Sequence, residues 1–284
     1  MLKPLTMSDS HTIPIQGFGV YQIPADQTAD AVAHAIEAGY RHIDTAQAYF
    51  NEEAVGEGIR RTGIDRDQLF LTTKVWLDRY GEEATYESVK TSLEKLGTDY
   101  VDLMLLHQPF NDVYGAWKAL ERAQKEGLIS SIGVSNFTPS RLHDLGSFNS
   151  TYPVVNQIEI NPFNQQTERV AQLQKHGVTV EAWAPFGEGR NGLFDNPVLT
   201  EIGKQYDKSV AQVVLRWLYQ RDIVGLAKSV HADRIQQNID IEDFSLTEED
   251  MAAIAKLDTR STLFFDHEAV ETVDFFTDLI NQRR

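Results

Sequence analysis

The sequence predicts an α/β fold, a single (β/α)8 barrel of the TIM-barrel type, with an N-terminal β-hairpin and a C-terminal tail over the barrel mouth. Three observations predict it. Short β-rich runs alternate with helix-patterned segments eight times, and that order yields parallel strands joined by crossover helices. The 284 residues carry no low-complexity or Pro/Gly/Ser-rich linker, so the alternation reads as one domain over 1–284, a length such barrels use. An open dinucleotide-binding sheet would carry GxGxxG after its first strand, whereas GFGV at 17–20 has two glycines and no helix directly behind it.

The elements follow in order. MSDSHTIPIQ (7–16) is a turn followed by a short apolar pair, as expected of a hairpin closing the barrel's lower end. Strands are read near 17–20, 40–45, 69–76, 101–107, 131–136, 154–160, 178–184 and 223–227. Between them lie TADAVAHAIEAG (28–39), ATYESVKTSLEKLG (84–97), DVYGAWKALERAQKEG (112–127) and SVAQVVLRWLYQ (209–220). Their apolar residues recur at spacings of three and four, the helical period. Gly39, Gly97, Gly127 and Gly177 stand where helices should end, a position that favours glycine. From about 258 onward, DTRSTLFFDHEAVETVDFF is rich in aromatic residues and is expected to pack back over a barrel mouth.

Composition narrows the function. Hydrophobic residues make up 42% of the chain, ample for a large core, and the net charge is 26 − 42 = −16. So acidic a surface repels phosphate backbones and anionic lipid, which excludes nucleic-acid and membrane binding as the expected role. With no cysteine, disulfides, thiolate catalysis and zinc–sulfur sites are ruled out. The first residues show no apolar core or cleavage pattern of a secretory signal, and Met7 could serve as the start. No apolar run approaches the ~18–20 residues that cross a bilayer. The expectation is a cytoplasmic monomer.

In such a barrel the chemistry sits at the C-terminal ends of the strands, in the loops that follow. Those ends carry Asp44 with Tyr49 in its loop, Lys74, His107, Ser135 with Asn136, Gln157 and Trp183. Singly, each has an ordinary structural role. Lys74, however, lies inside the β-rich run LTTKVW, and a lysine in a buried strand needs an acid partner, which Asp44 on the neighbouring strand can be. An acid, a phenol, an ammonium and an imidazole thus converge from three successive strands. Such a set supports proton donation to a carbonyl. A tyrosine is a poor acid at its usual pKa of about 10, and a nearby ammonium should pull it down toward the operating range. His107 would orient the carbonyl oxygen against Tyr49. None of these residues stores a hydride, so a cofactor must bring one.

These residues resemble those of the aldo-keto reductases over essentially the full chain. GYRHIDTAQAYFNEEAVG (39–56) is similar to that family's second-strand block, with Gly39, Arg41, Asp44, Ala46, Glu52 and Gly56 in the expected places. LLHQP (105–109), IGVSNF (132–137), VVNQIE (154–159) and EAWAPFG (181–187) resemble its later blocks, in the right order. The resemblance implies a barrel that binds NADPH/NADP+ without a dinucleotide-binding domain and uses Asp44, Tyr49, Lys74 and His107 as its catalytic set. It implies Ser135, Asn136 and Gln157 at the nicotinamide carboxamide and Trp183 stacked on the ring. LAKSVHADRIQQN (226–238) resembles the family's adenosine-phosphate clamp, implying Lys228, Ser229 and Arg234 at the 2′-phosphate and Gln237 and Asn238 at the adenine. Two cations and a hydroxyl at a helix start make an anion site that the overall charge does not supply.

Three departures stand out: Ala227 where a proline is common, Phe50 for a frequent glycine, and Gln108 for a frequent tryptophan. The last two should border the substrate pocket with Tyr21, Trp76, Phe110 and Phe186, and Phe264 and Phe265 from the tail, an apolar mouth with few polar anchors. The compact loops resemble the shorter prokaryotic members. The expected activity is NADPH-dependent reduction of aldehydes, small ketones, α-dicarbonyls or keto-sugars. Two alternatives remain. His42 and Asp44 alternate on one strand and, with His107, could chelate the metal of a barrel hydrolase. A non-catalytic NADPH sensor would bind the nucleotide without turning it over.

Overall fold

The computed structural model describes residues 2–283. Eight parallel strands close on themselves: β3 (Gln16–Gly19), β4 (His42–Asp44), β5 (Phe70–Val75), β6 (Val101–Leu106), β7 (Ile129–Ser135), β8 (Val155–Glu159), β9 (Thr179–Trp183) and β10 (Ile223–Ala227). Each pairs with the next, and β10 returns to β3. Each falls on one of the β-rich runs read from the sequence. Ahead of them, β1 (Leu5–Thr6) and β2 (Thr12–Ile13) form the expected antiparallel hairpin. Met7 and Ile13 join Phe70, Leu103, Leu105, Val155 and Val224 in one apolar cluster at the barrel floor. Ser131 Oγ donates to Asp9 Oδ2 at 2.6 Å, tying the hairpin turn to β7.

The outer helices follow from their periodicity. In α3 (Glu82–Leu96) the buried Tyr86, Val89, Leu93 and Leu96 form one stripe, and hydrophobic burial of that stripe holds the helix on the sheet. The helix ends at Gly97, whose φ of 67° is the left-handed conformation that costs glycine least. In α4 (Val113–Lys125) the Asp112 carboxylate caps the free Gly115 amide, and α8 (Val210–Tyr219) opens on a capping box of Ser209 and Gln212. Within α2 (Glu52–Thr62), a Cβ on Gly56 would stand 2.3 Å from the Leu96 carbonyl oxygen, so the bare glycine lets α2 lie directly on the end of α3.

Above the apolar floor the barrel interior turns polar. Gln157 of β8 reaches Asp44 of β4, two strands that are not sheet neighbours, so the contact runs through the interior. His42, Thr72 and Glu181 lie in the same layer. The tail closes the opposite end, as expected of an aromatic segment. Leu263 N donates to Glu159 Oε1 at 3.0 Å, His267 Nε2 meets Gln108 Oε1 at 3.0 Å, and Phe276 packs on Trp76. The tail also carries a helix, α11 (Val270–Arg283), beyond what its aromatic content predicts. Among the described residues no helix is long and apolar enough to cross a membrane.

Candidate active site

Asp44 ends β4 and Lys74 lies near the end of β5, both pointing into the barrel. The Lys74 side chain is wholly buried. Its Nζ donates to Asp44 Oδ1 at 2.6 Å, to the Thr45 carbonyl at 2.9 Å and to Tyr49 Oη at 3.4 Å. Tyr49 is delivered by a 3-10 turn, Gln47–Tyr49, that follows β4. Two amides fasten that turn. Gln47 Nε2 donates to Ser88 Oγ and Ser92 Oγ of α3 while its Oε1 accepts from Trp76 N at 3.0 Å. Asn51 accepts from Thr45 Oγ1 and donates to the Val20 carbonyl, both at 3.0 Å. His107, just beyond β6, completes the set, its ring 5.7 Å from that of Tyr49 and near-perpendicular to it.

The electrostatics follow from this geometry. Burial pulls the Lys74 ammonium toward neutrality, but the Asp44 carboxylate and Tyr49 more than offset it and carry the pKa above its ordinary value. Burial pushes the Tyr49 phenol up, Lys74 draws it down, and the sum is a pKa of about 12. The expectation of a net depression is therefore corrected: Lys74 acts in that direction, but desolvation of the hydroxyl outweighs it. His107 is pushed well below its usual range by burial first, then by Lys74 and His267, so the imidazole is neutral at physiological pH. Its Nδ1 is buried with no partner among the described residues.

A cavity of about 660 Å³ opens above this set. Tyr21, Trp76, Gln108 and Phe186 line it as expected, as do the tail residues Phe264 and Phe265. Phe50 and Phe110 do not line it. Phe50 takes the left-handed conformation at φ 56° and is 69% exposed, which turns it off the pocket. Phe110 stacks on His267 and packs against Phe276, beneath the tail.

Of the residues implied for a cofactor, Ser135, Asn136, Gln157, Trp183 and Lys228 line the cavity. The inner ones are also bonded to each other. Ser135 Oγ donates to the Gln157 carbonyl at 2.8 Å, and Asn136 Oδ1 accepts from Trp183 Nε1 at 2.8 Å. Ser229, Arg234, Gln237 and Asn238 lie past the cavity wall, on the loop after β10 and on α9 (Ala232–Ile239). There Arg234 and Gln237 are exposed, while Ser229 and Asn238 are buried.

The metal-hydrolase alternative finds no geometry. The Asp44 oxygens are taken by Lys74 and Gln157, and His42 Nε2 is bonded to Thr72 Oγ1 at 3.0 Å. Among the described residues no group of three His, Cys, Asp or Glu side chains could hold a metal ion.

Sequence reasoning missed several residues that shape the site. Gln47 and Asn51 set the position of Tyr49. Glu181 of β9 accepts from Gln157 Nε2 at 2.9 Å. An acid inside the apolar run VTVEAWA was the available signal, the same one that singled out Lys74. Glu188 and Arg190, on the loop after β9, also line the cavity, and Arg190 lies 4.2 Å over the Phe264 ring.

Comparison with known proteins agrees with this architecture. A model described as the Aldo/keto reductase family matches residues 15–259. The chain is 40% identical to a morphine 6-dehydrogenase of Pseudomonas putida, over 95% of this chain and 96% of that one. It is 40% identical to a methylglyoxal reductase of Escherichia coli (strain K12), over 89% and 93%. A solved Bombyx mori aldo-keto reductase in complex with NADP superposes with a TM-score of 0.89 at 38% identity, covering 93% of this chain and 95% of that one. With the fold, the strand-end residues and these matches in agreement, the chain belongs to the aldo/keto reductase family.

Proposed function

We propose that this oxidoreductase uses NADPH to reduce aldehydes and small ketones, α-dicarbonyls among them, to alcohols, with Tyr49 as proton donor. The observation that carries the reading is Lys74 Nζ, buried between Asp44 and Tyr49 at the cavity floor. NADPH, as in the NADP complex of the Bombyx mori relative, supplies the hydride when bound. The chain's residues fit it. Trp183 offers an indole beside the cavity, Gln157 has an amide oxygen left over, and Lys228 lines the cavity of a chain whose net charge is −16.

The remaining steps belong to the protein. Neutral His107 donates a hydrogen bond to the carbonyl oxygen and holds it against Tyr49. As the carbonyl carbon is reduced, its π pair moves onto the oxygen, which takes the phenolic proton of Tyr49. The phenolate left behind is stabilised by the Lys74 ammonium, which Asp44 keeps charged. A pKa of about 12 keeps Tyr49 protonated but a weak acid, which gives up its proton only as negative charge develops on the carbonyl oxygen. The reverse reaction, oxidation of an alcohol, needs the phenolate, which a pKa of about 12 makes scarce near neutral pH.

The cavity walls favour compact substrates. Trp76, Phe265, Phe276 and Leu279 supply an apolar face, while His107, Gln108 and His267 supply a polar one. A small carbonyl with a second oxygen beside it meets both faces, and the methylglyoxal reductase relative points the same way. The test is NADPH oxidation by purified protein over a panel of methylglyoxal, phenylglyoxal, a nitrobenzaldehyde and a diketo-sugar. Turnover led by the dicarbonyls is expected. Tight NADPH binding with no turnover across the panel would instead favour a sensor.

A further inference from the structure

Glu181 is wholly buried at the barrel centre and has no part in the mechanism above. Its Oε2 accepts from Gln157 Nε2 at 2.9 Å, and the same nitrogen donates to Asp44 Oδ2 at 3.0 Å. One amide group therefore spans two carboxyls. The other Glu181 oxygen, Oε1, has no hydrogen-bond partner among the described residues. The titratable groups facing Glu181 are His42 and Asp44 from β4 and Lys74 from β5, while β8 presents the uncharged Gln157 and β10 pairs Val224 beside it.

Charge balance then decides the state of this group. Lys74 is already bonded to Asp44, and His42 is neutral, its pKa pushed down to about 3 by burial and then by Lys74. A second carboxylate would have no cation of its own in a dry interior, so it takes a proton instead. Burial, reinforced by Asp44, pushes Glu181 up to about 8.

We propose that Glu181 is a positioning residue for the proton-donor set, acting as a neutral acid through the Gln157 amide. The Asp44 carboxylate accepts only from the nitrogen end of that amide, and the Glu181 oxygen Oε2 accepts from the same nitrogen. Glu181 thus fixes the orientation of Gln157, and through it the Asp44–Lys74–Tyr49 chain. The amide oxygen of Gln157 is then the atom left for a ligand's carboxamide. When Glu181 ionises, a second negative charge arrives beside Asp44 and Lys74, which opposes formation of the Tyr49 phenolate and slows reduction. This inference rests on the reading of Tyr49 as proton donor.

The test compares kcat for phenylglyoxal reduction at saturating NADPH, from pH 6 to 10, in wild type and Glu181→Gln. The ratio of wild-type to variant kcat should fall as pH rises through 8, by up to about tenfold per pH unit, whatever the two rates at pH 6.5. In infrared difference spectra, the carbonyl band of a protonated carboxyl should be present in wild type at pH 6.5, fade through pH 8 and be missing from Glu181→Gln. That band reads the wild-type protein directly, so the idea stays testable even if the variant folds poorly. Parallel pH profiles, or no protonated-carboxyl band, would overturn it. Wild-type turnover by Tyr49→Phe would overturn the underlying reading and the inference with it.

Discussion

Replacing Glu181 by Gln should stabilise the barrel by an amount that grows with pH. In the unfolded chain this glutamate titrates near 4.5, whereas in the folded barrel it titrates near 8. Between those values the folded protein holds a proton that the unfolded chain has released. Stability that is fully present below pH 4.5 is therefore lost as pH rises through 8, at about 1.4 kcal/mol per pH unit. Across pH 5 to 8 the change amounts to about 4 kcal/mol, a large share of a typical domain's stability. Glutamine keeps an oxygen to accept from Gln157 but has no proton to lose, so this pH dependence disappears. The assay is urea unfolding of wild type and Glu181→Gln at pH 5, 6.5 and 8, comparing extrapolated free energies. The variant's advantage should widen by about 3–4 kcal/mol between the end points. A difference that stays constant with pH would refute the argument that this carboxyl is buried as the neutral acid.

Two further outcomes follow from the same geometry. Lys74→Met leaves Asp44 in the barrel without its cation and should cost about 3–5 kcal/mol of stability, while abolishing reduction; thermal unfolding and NADPH oxidation report the two effects separately. Lys228→Ala tests the proposal that Lys228, on the cavity wall, pairs with the 2′-phosphate. It should weaken NADPH binding by about 1.5 kcal/mol, close to tenfold, and leave NADH binding unchanged, as read by protein fluorescence titration.

Much of this was legible in the sequence for identifiable reasons. Strand ends were readable because a parallel strand buried on both faces is a short apolar run between turn signals. Barrel topology then placed Asp44, Lys74 and His107 on one rim. Lys74 drew notice because an ammonium in such a run needs a partner, and the partner lay on the adjacent strand. Glu181 carries the same signal. Its amide partner Gln157 lies opposite it on the adjacent β8, but His42 and Asp44 lie across the barrel on β4, and only the closed strand order brings them together. Phe50 and Phe110 show a different limit. The family resemblance put them near the rim but could not give side-chain direction, which the left-handed backbone at Phe50 and the tail stacked on Phe110 decide. The tail's contacts, such as His267 with Gln108, join segments 159 positions apart, beyond what local pattern encodes.

The role of Tyr49 is tested most directly by Tyr49→Phe, which keeps the ring and removes the proton. NADPH consumption with phenylglyoxal should fall by about 100-fold or more, while NADPH binding, measured by fluorescence titration, stays within twofold of wild type. Turnover within tenfold of wild type would contradict the account, because the proton would then have to come from elsewhere.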